Sequence, residues 1–188
     1  MTATPIPRTL TMTLYADMDV SVIDELPKGR QPITTHTAAQ PKRPELIERL
    51  RKILAQGQQA YWVCTLIEPS EEIEALSAEE AFDLLRRDLP ESRVALLHGR
   101  MKGDEKVEVM RAFKAGEYQL LVATTVVEVG VDVPNATQMF IENAERLGLA
   151  QLHQLRGRVG RGSKASRCFL LFKPGVSQAG QHRLNALR

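Results

Sequence analysis

The sequence predicts an α/β domain in which a parallel sheet carries helices on both faces. Three observations predict it. Short apolar, β-branched runs alternate with longer stretches of helical periodicity. The runs are apolar on both faces, as strands covered by two helical layers must be. Hydroxyl, glycine and charged residues follow the runs directly, at the strand ends where such sheets place their ligands.

Residues 1–30 are expected to end a preceding domain and lead into this one. Pro5 and Pro7 follow what reads as a strand end, and Pro7 with Arg8 suits a helix start running through Tyr15. Pro27-Lys28-Gly29 is a turn between β-like runs at 19–24 and 31–37, with a linker near 16–30. From Arg43, Leu46, Ile47, Leu50, Ile53 and Leu54 recur at helical spacing until Gly57, an amphipathic helix with its stop. Residues 60–66 (AYWVCTL) form a strand bounded by Glu68-Pro69. Ser77-Ala78-Glu79-Glu80 has the form of a capping box opening a helix through Asp88. Further strands are expected at 93–98, 119–124, 137–142 and 167–172, and a helix at 104–115 stopped by Gly116. The stretch 123–162 joins a strand, a Gly-Val-Asp-Val-Pro turn, a second strand and a helix start bearing Arg156, Arg158 and Arg161 between glycines. Residues 178–188 read as a helix, so the domain proper is placed at 31–175 and the start of a further helical region at 176–188.

Charge excludes little. The 25 basic and 23 acidic residues leave a formal net charge of +2, too near balance to argue a nucleic-acid partner by itself. Cys64 and Cys168 each lie in an apolar run with no Cys-x-x-Cys or His spacing around them, which points to buried free thiols rather than a metal or disulfide. No positive-then-apolar leader and no membrane-length apolar run is present, so a reducing cytoplasm is expected.

The chain holds no Gly-x-x-x-x-Gly-Lys-Ser/Thr loop and no strand ending in paired acids, so it lacks its own triphosphate cradle and magnesium ligand pair. The glycines at 157, 160 and 162 do not follow a strand as a dinucleotide fingerprint requires. Arg158 and Arg161 are a solvated basic helix end or, in register with Gln154 and held by glycine backbone, a phosphate grip made of planar guanidinium forks. Asp132, between Gly130 and Pro134, fixes its turn or accepts a ribose hydroxyl. Thr124 and Thr125 end a strand or hold a nucleic-acid phosphate. His98 reads as a packed or capping histidine without a proton-transfer role. For at least one of Tyr61 and Trp62, core packing outweighs base stacking.

With Ala123–Pro134 and Gln154–Arg161 (QLRGRVGR) in view, the chain resembles the second motor domain of a superfamily 2 helicase. Those stretches resemble that family's motifs V and VI, and Thr2-Ala3-Thr4 resembles motif III, which couples hydrolysis to unwinding. The segments TATPIPRTL, DVSVIDELPKGR, YWVCTLIEPSE and HGRMK are similar to the bacterial branch that remodels stalled forks and Holliday junctions. Transcription-repair coupling translocases share TATPIPRTL and GLAQLHQLRGRVGR, and a non-catalytic nucleic-acid-binding module is a further alternative.

The resemblance implies a RecA-like, P-loop NTPase-type sheet acting as a helicase C-terminal domain. It implies ATP with Mg2+, both held mainly by a first motor domain, with Gly130, Asp132, Gln154, Arg158 and Arg161 facing the nucleotide and the two arginines as fingers. It implies DNA-backbone contacts at Thr65, Gly99, Arg100 and Thr124, and coupling through Thr2, Ala3 and Thr4. The implied partners are branched DNA and the first motor and wedge domains of the same polypeptide, in a monomeric, nucleoid-associated enzyme with no membrane contact. The chain alone is expected to be inactive.

Overall fold

The structure, a computed structural model, describes residues 32–65, 71–128 and 132–187. The run at 19–24, the linker, Thr2-Ala3-Thr4 and Gly130 lie outside the described residues. Among the described residues, six strands form one parallel sheet in the order β1-β6-β5-β2-β4-β3. They are β1 (Ile33–Ala39), β2 (Gln59–Val63), β3 (Val94–Leu97), β4 (Leu120–Ala123), β5 (Ala136–Ile141) and β6 (Ser166–Phe172). The helices are α1 (Arg43–Ala55), α2 (Glu71–Asp88), α3 (Gly103–Lys114), α4 (Leu149–Arg156) and α5 (Gln178–Ala186).

Period-two alternation divides the core between the two faces of the sheet. Ala60, Trp62, Cys64, Leu120, Val122, Phe140, Phe169 and Leu171 point one way, onto Leu46, Ile47, Leu50 and Leu54 of α1 and Ala78, Ala81 and Leu85 of α2. Tyr61, Val63, Leu121, Ala123, Met139, Ile141, Cys168 and Leu170 point the other way, onto Phe113 of α3, Leu152 and Leu155 of α4, and Leu184 of α5. The central strand β2 pairs with β5 and β4, and all five of its residues are buried.

Arg43 opens α1 as expected, with Pro44 in the first turn, where its missing N–H costs nothing. Two expectations are corrected. Ser77 does not cap α2, which begins at Glu71 and runs through it. Good helix formers on both sides carry the chain past a serine whose interior cost is a few tenths of a kcal/mol. Arg156, Arg158 and Arg161 do not open a helix either. Leu149–Arg156 is the helix, and the arginines are its last residue and the turn beyond it. The C-terminal helix α5 buries Leu184 in the same core, and Arg183 donates to the carbonyls of Glu145 and Leu147 at 3.0 and 3.4 Å.

Candidate functional site

Helices between parallel strands run back against them, so a helix C-terminus arrives at the amino edge of the sheet. The end of α4 does so: Arg156 donates from Nη2 to the carbonyl of Ile33, the first residue of β1, at 3.1 Å. Gly157 follows, its N–H bonded to the His153 carbonyl, and Gly160 takes φ +74°, a left-handed step that suits glycine. The turn sets Arg161 against the segment entering β5. Arg161 Nε donates to the Gly157 carbonyl at 3.0 Å and stands 3.5 Å from Asp132 Oδ1. Arg158 lies one turn earlier, half-buried, with Gln154 half-buried on the last turn of α4. The structure thus gathers Asp132, Gln154, Arg158 and Arg161 at the amino edge.

Under this cluster lies Tyr61, one of the two mid-strand aromatics for at least one of which packing was expected. It shares a core cluster with Val133, Leu155 and Val159, the neighbours of the charged residues, and its ring meets Phe113 edge-on at 5.1 Å. Burial pushes the phenol up to about 12, Arg158 and Arg161 pull against that, and Asp132 adds to it. The phenol therefore stays neutral beneath the guanidinium groups. No local sequence signal distinguishes Tyr61 from Trp62; only the face it points to does. Trp62 is fully buried on the other face, stacked on Phe140 and covered by the Arg43 guanidinium at 5.1 Å.

The other expected residues sit at the opposite, carboxyl edge, just past the ends of β2, β3 and β4. Thr65 is buried, and its hydroxyl donates to the carbonyls of Glu142 and Asn143 at 2.6 and 3.1 Å. Asn143 occupies the left-handed region (φ 49°) and donates back to the Thr65 carbonyl at 3.3 Å. Arg43 closes this corner on Glu142 at 2.9 Å. Thr124 is fully buried, and its hydroxyl has no hydrogen-bond partner among the described residues. Gly99 is half-exposed, with its carbonyl accepting from Lys106 Nζ at 2.5 Å, and Arg100 is exposed. His98 is buried with Nε2 3.5 Å from Glu79, in keeping with a packed histidine. Of the four expected phosphate contacts, Gly99 and Arg100 present accessible groups while Thr65 and Thr124 point inward.

Cys64 and Cys168 are buried free thiols. Burial pushes Cys64 well up and Cys168 up to about 12. Among the described residues no His, Cys, Asp and Glu cluster is arranged to hold a metal ion, and no helix is long and apolar enough to cross a membrane.

A six-stranded parallel sheet with helices packed on both faces is a RecA-like architecture. The chain belongs to the helicase conserved C-terminal domain family, which matches residues 45–163. Within it, the chain is similar over its whole length to the ATP-dependent DNA helicase RecG. Identity is 62% to the protein of Escherichia coli strain K12 and 49% to that of Bacillus subtilis strain 168. The chain spans 27% of the length of each of these relatives. A solved structure of RecG bound to a three-way DNA junction superposes with a TM-score of 0.81 at 44% identity, covering 98% of this chain and 24% of that one. Yeast (S. cerevisiae) Dbp5 bound to RNA and ADP BeF3 shares the fold, at TM-score 0.66 and 14% identity, over 99% of this chain and 46% of that one.

Proposed function

We propose that this chain is the second motor domain of a RecG-type, ATP-dependent DNA helicase that remodels stalled forks and Holliday junctions. The observation that carries the proposal is the amino-edge cluster, where Arg161, beside Arg158, meets an exposed carboxylate and a carbonyl among the described residues and is itself exposed to a phosphate. The donor set fits a nucleoside triphosphate presented by a first motor domain: two guanidinium groups for phosphate oxygens and Asp132 for a ribose hydroxyl. With ATP and Mg2+ bound, the group supplied is a terminal phosphoryl whose charge redistributes during transfer. Arg158 and Arg161 would neutralise that charge from this side, a contribution of about 10³ to 10⁵ in rate, or roughly 4 to 7 kcal/mol. The metal is assigned to the first domain.

At the carboxyl edge, Gly99 and Arg100 would meet the DNA backbone. Contacts of this kind carry no base sequence and suit recognition of junction shape. Thr65 would act there through the Glu142 and Asn143 carbonyls that its hydroxyl holds, and Thr124 through its main chain, whose N–H donates to the Leu97 carbonyl. The motor would work as a monomer in the bacterial cytoplasm, alongside the nucleoid, with the first motor and wedge domains as its partners. The test is Arg161→Ala in the complete protein. Junction DNA binding should stay within a few-fold while DNA-stimulated ATP hydrolysis is abolished; retained hydrolysis sinks the assignment.

A further inference from the structure

Asp132 and Arg161 come from segments far apart in the chain, yet would face one nucleotide, so something must hold their spacing. Their own ion pair is too weak. At 3.5 Å and with side chains 54% and 37% exposed, it belongs to the class worth about 0 to 1 kcal/mol. The neighbouring residues do more. Gly162 approaches Pro134 so closely that a Cβ built on it would stand 2.5 Å from the Pro134 carbonyl oxygen and 3.3 Å from the carbonyl carbon. Beyond that contact, Lys164 Nζ donates to Asn135 Oδ1 at 3.3 Å. Asn135 is itself fastened to the amino end of the central strand. Its Nδ2 donates to the Gly57 carbonyl at 2.9 Å and to Gln59 Oε1 at 3.3 Å, and its carbonyl accepts from Gln59 N–H at 3.0 Å. Gln59 in turn donates to the carbonyls of Phe113 and Tyr118 at 2.6 and 2.7 Å.

We propose that Gly162 and Asn135 are positioning residues for Arg161: the backbone contact of Gly162 on Pro134, anchored through Asn135 to β2, joins the acid-bearing and arginine-bearing turns into one unit. The proposal rests on the motor-domain reading. Neither residue touches the nucleotide; each acts through where it holds Arg161 and Asp132. Only glycine permits the approach, because the atom met is backbone and has no rotamer by which to withdraw. A methyl group at 162 must push the turn away by about 1 Å, a displacement that costs on the order of 10²-fold when it moves a catalytic group.

The experiment uses the complete protein with forked DNA and ATP. Gly162→Ala is expected to lower kcat of DNA-stimulated hydrolysis about 10- to 100-fold while KM for ATP and junction DNA affinity stay within about threefold. A kcat within twofold of the wild type overturns the proposal. So does a kcat loss that only tracks a loss of DNA binding and melting temperature, since Gly162 would then be merely structural. Should Gly162→Ala fail to fold, Asn135→Ala decides, because it frees the anchor without adding an atom. The same kcat loss supports the proposal and wild-type kcat overturns it. Arg161→Ala separates the two levels. If it still hydrolyses ATP, the motor-domain reading fails; if it is dead while Gly162→Ala is unaffected, only the present inference fails.

Discussion

Arg161 Nε stands 3.5 Å from Asp132 Oδ1 while donating to the Gly157 carbonyl at 3.0 Å, so one guanidinium bridges the segment entering β5 and the end of α4. Because the pair is exposed, its removal should be almost silent in stability. For Asp132→Asn we predict a change within about 1 kcal/mol by denaturant unfolding. In the complete protein the same variant should raise KM for ATP several-fold. An unchanged KM would remove Asp132 from the nucleotide site.

The buried phenol gives the domain an alkaline limit. Tyr61 is held up to about 12 in the fold, against an ordinary value of 10.0. With the folded value raised, its contribution is fully present below pH 10 and is lost as pH rises toward 12, since only the unfolded chain ionises first. The shift corresponds to roughly 2 to 3 kcal/mol. Tyr61→Phe should therefore flatten the fall in stability between pH 10 and 12, measured by urea midpoints on both proteins. Parallel curves would show that Tyr61 does not carry this dependence.

Neither thiol should react while the domain is folded. Cys64 and Cys168 are buried and their thiolates disfavoured by burial, so a chromogenic disulfide reagent at pH 8 should label neither in native buffer. Both should be labelled in denaturant. Stoichiometric labelling within seconds without denaturant would contradict the burial.

Thr65 and Arg100 should separate by what their loss affects. Thr65→Val removes a hydroxyl that two carbonyls share and should cost about 1 to 2 kcal/mol of stability, with junction affinity changed less than threefold. Arg100→Ala should leave stability alone, weaken DNA binding, and reduce the salt dependence of binding by about one counterion. Salt titrations of the complete protein on a forked duplex decide the second case. An unaltered slope would take Arg100 off the DNA.

Most of the fold was legible because buried parallel strands announce themselves. RVALLH (93–98) and the runs at 119–124, 137–142 and 167–172 matched strands to within one residue at each end, while AYWVCTL (60–66) matched at its start and overran the end of β2 at Val63 by three residues. The start of α2 was not legible, since Ser77 satisfies a capping pattern equally well in a helix interior. The α4 error had larger consequences. Glycines on both sides of Arg158 and Arg161 look alike whether a helix begins or ends there, and only the backbone reveals that Arg156 is its last residue. Periodicity also could not show that Thr65 and Thr124 turn inward, or that Gly162 meets Pro134. Those facts depend on segments brought together by the sheet.

The sheet keeps its two kinds of exposed group on opposite edges. The arginine turn lies at the amino edge, the Gly99–Arg100 turn at the carboxyl edge, and a strand such as the five-residue β2 separates them by about 17 Å. That separation has a pharmacological consequence. Under the proposed function, a small anionic inhibitor seated on Arg158 and Arg161 would compete with nucleotide yet leave the track for the duplex open. It would stall the enzyme on its junction instead of displacing it.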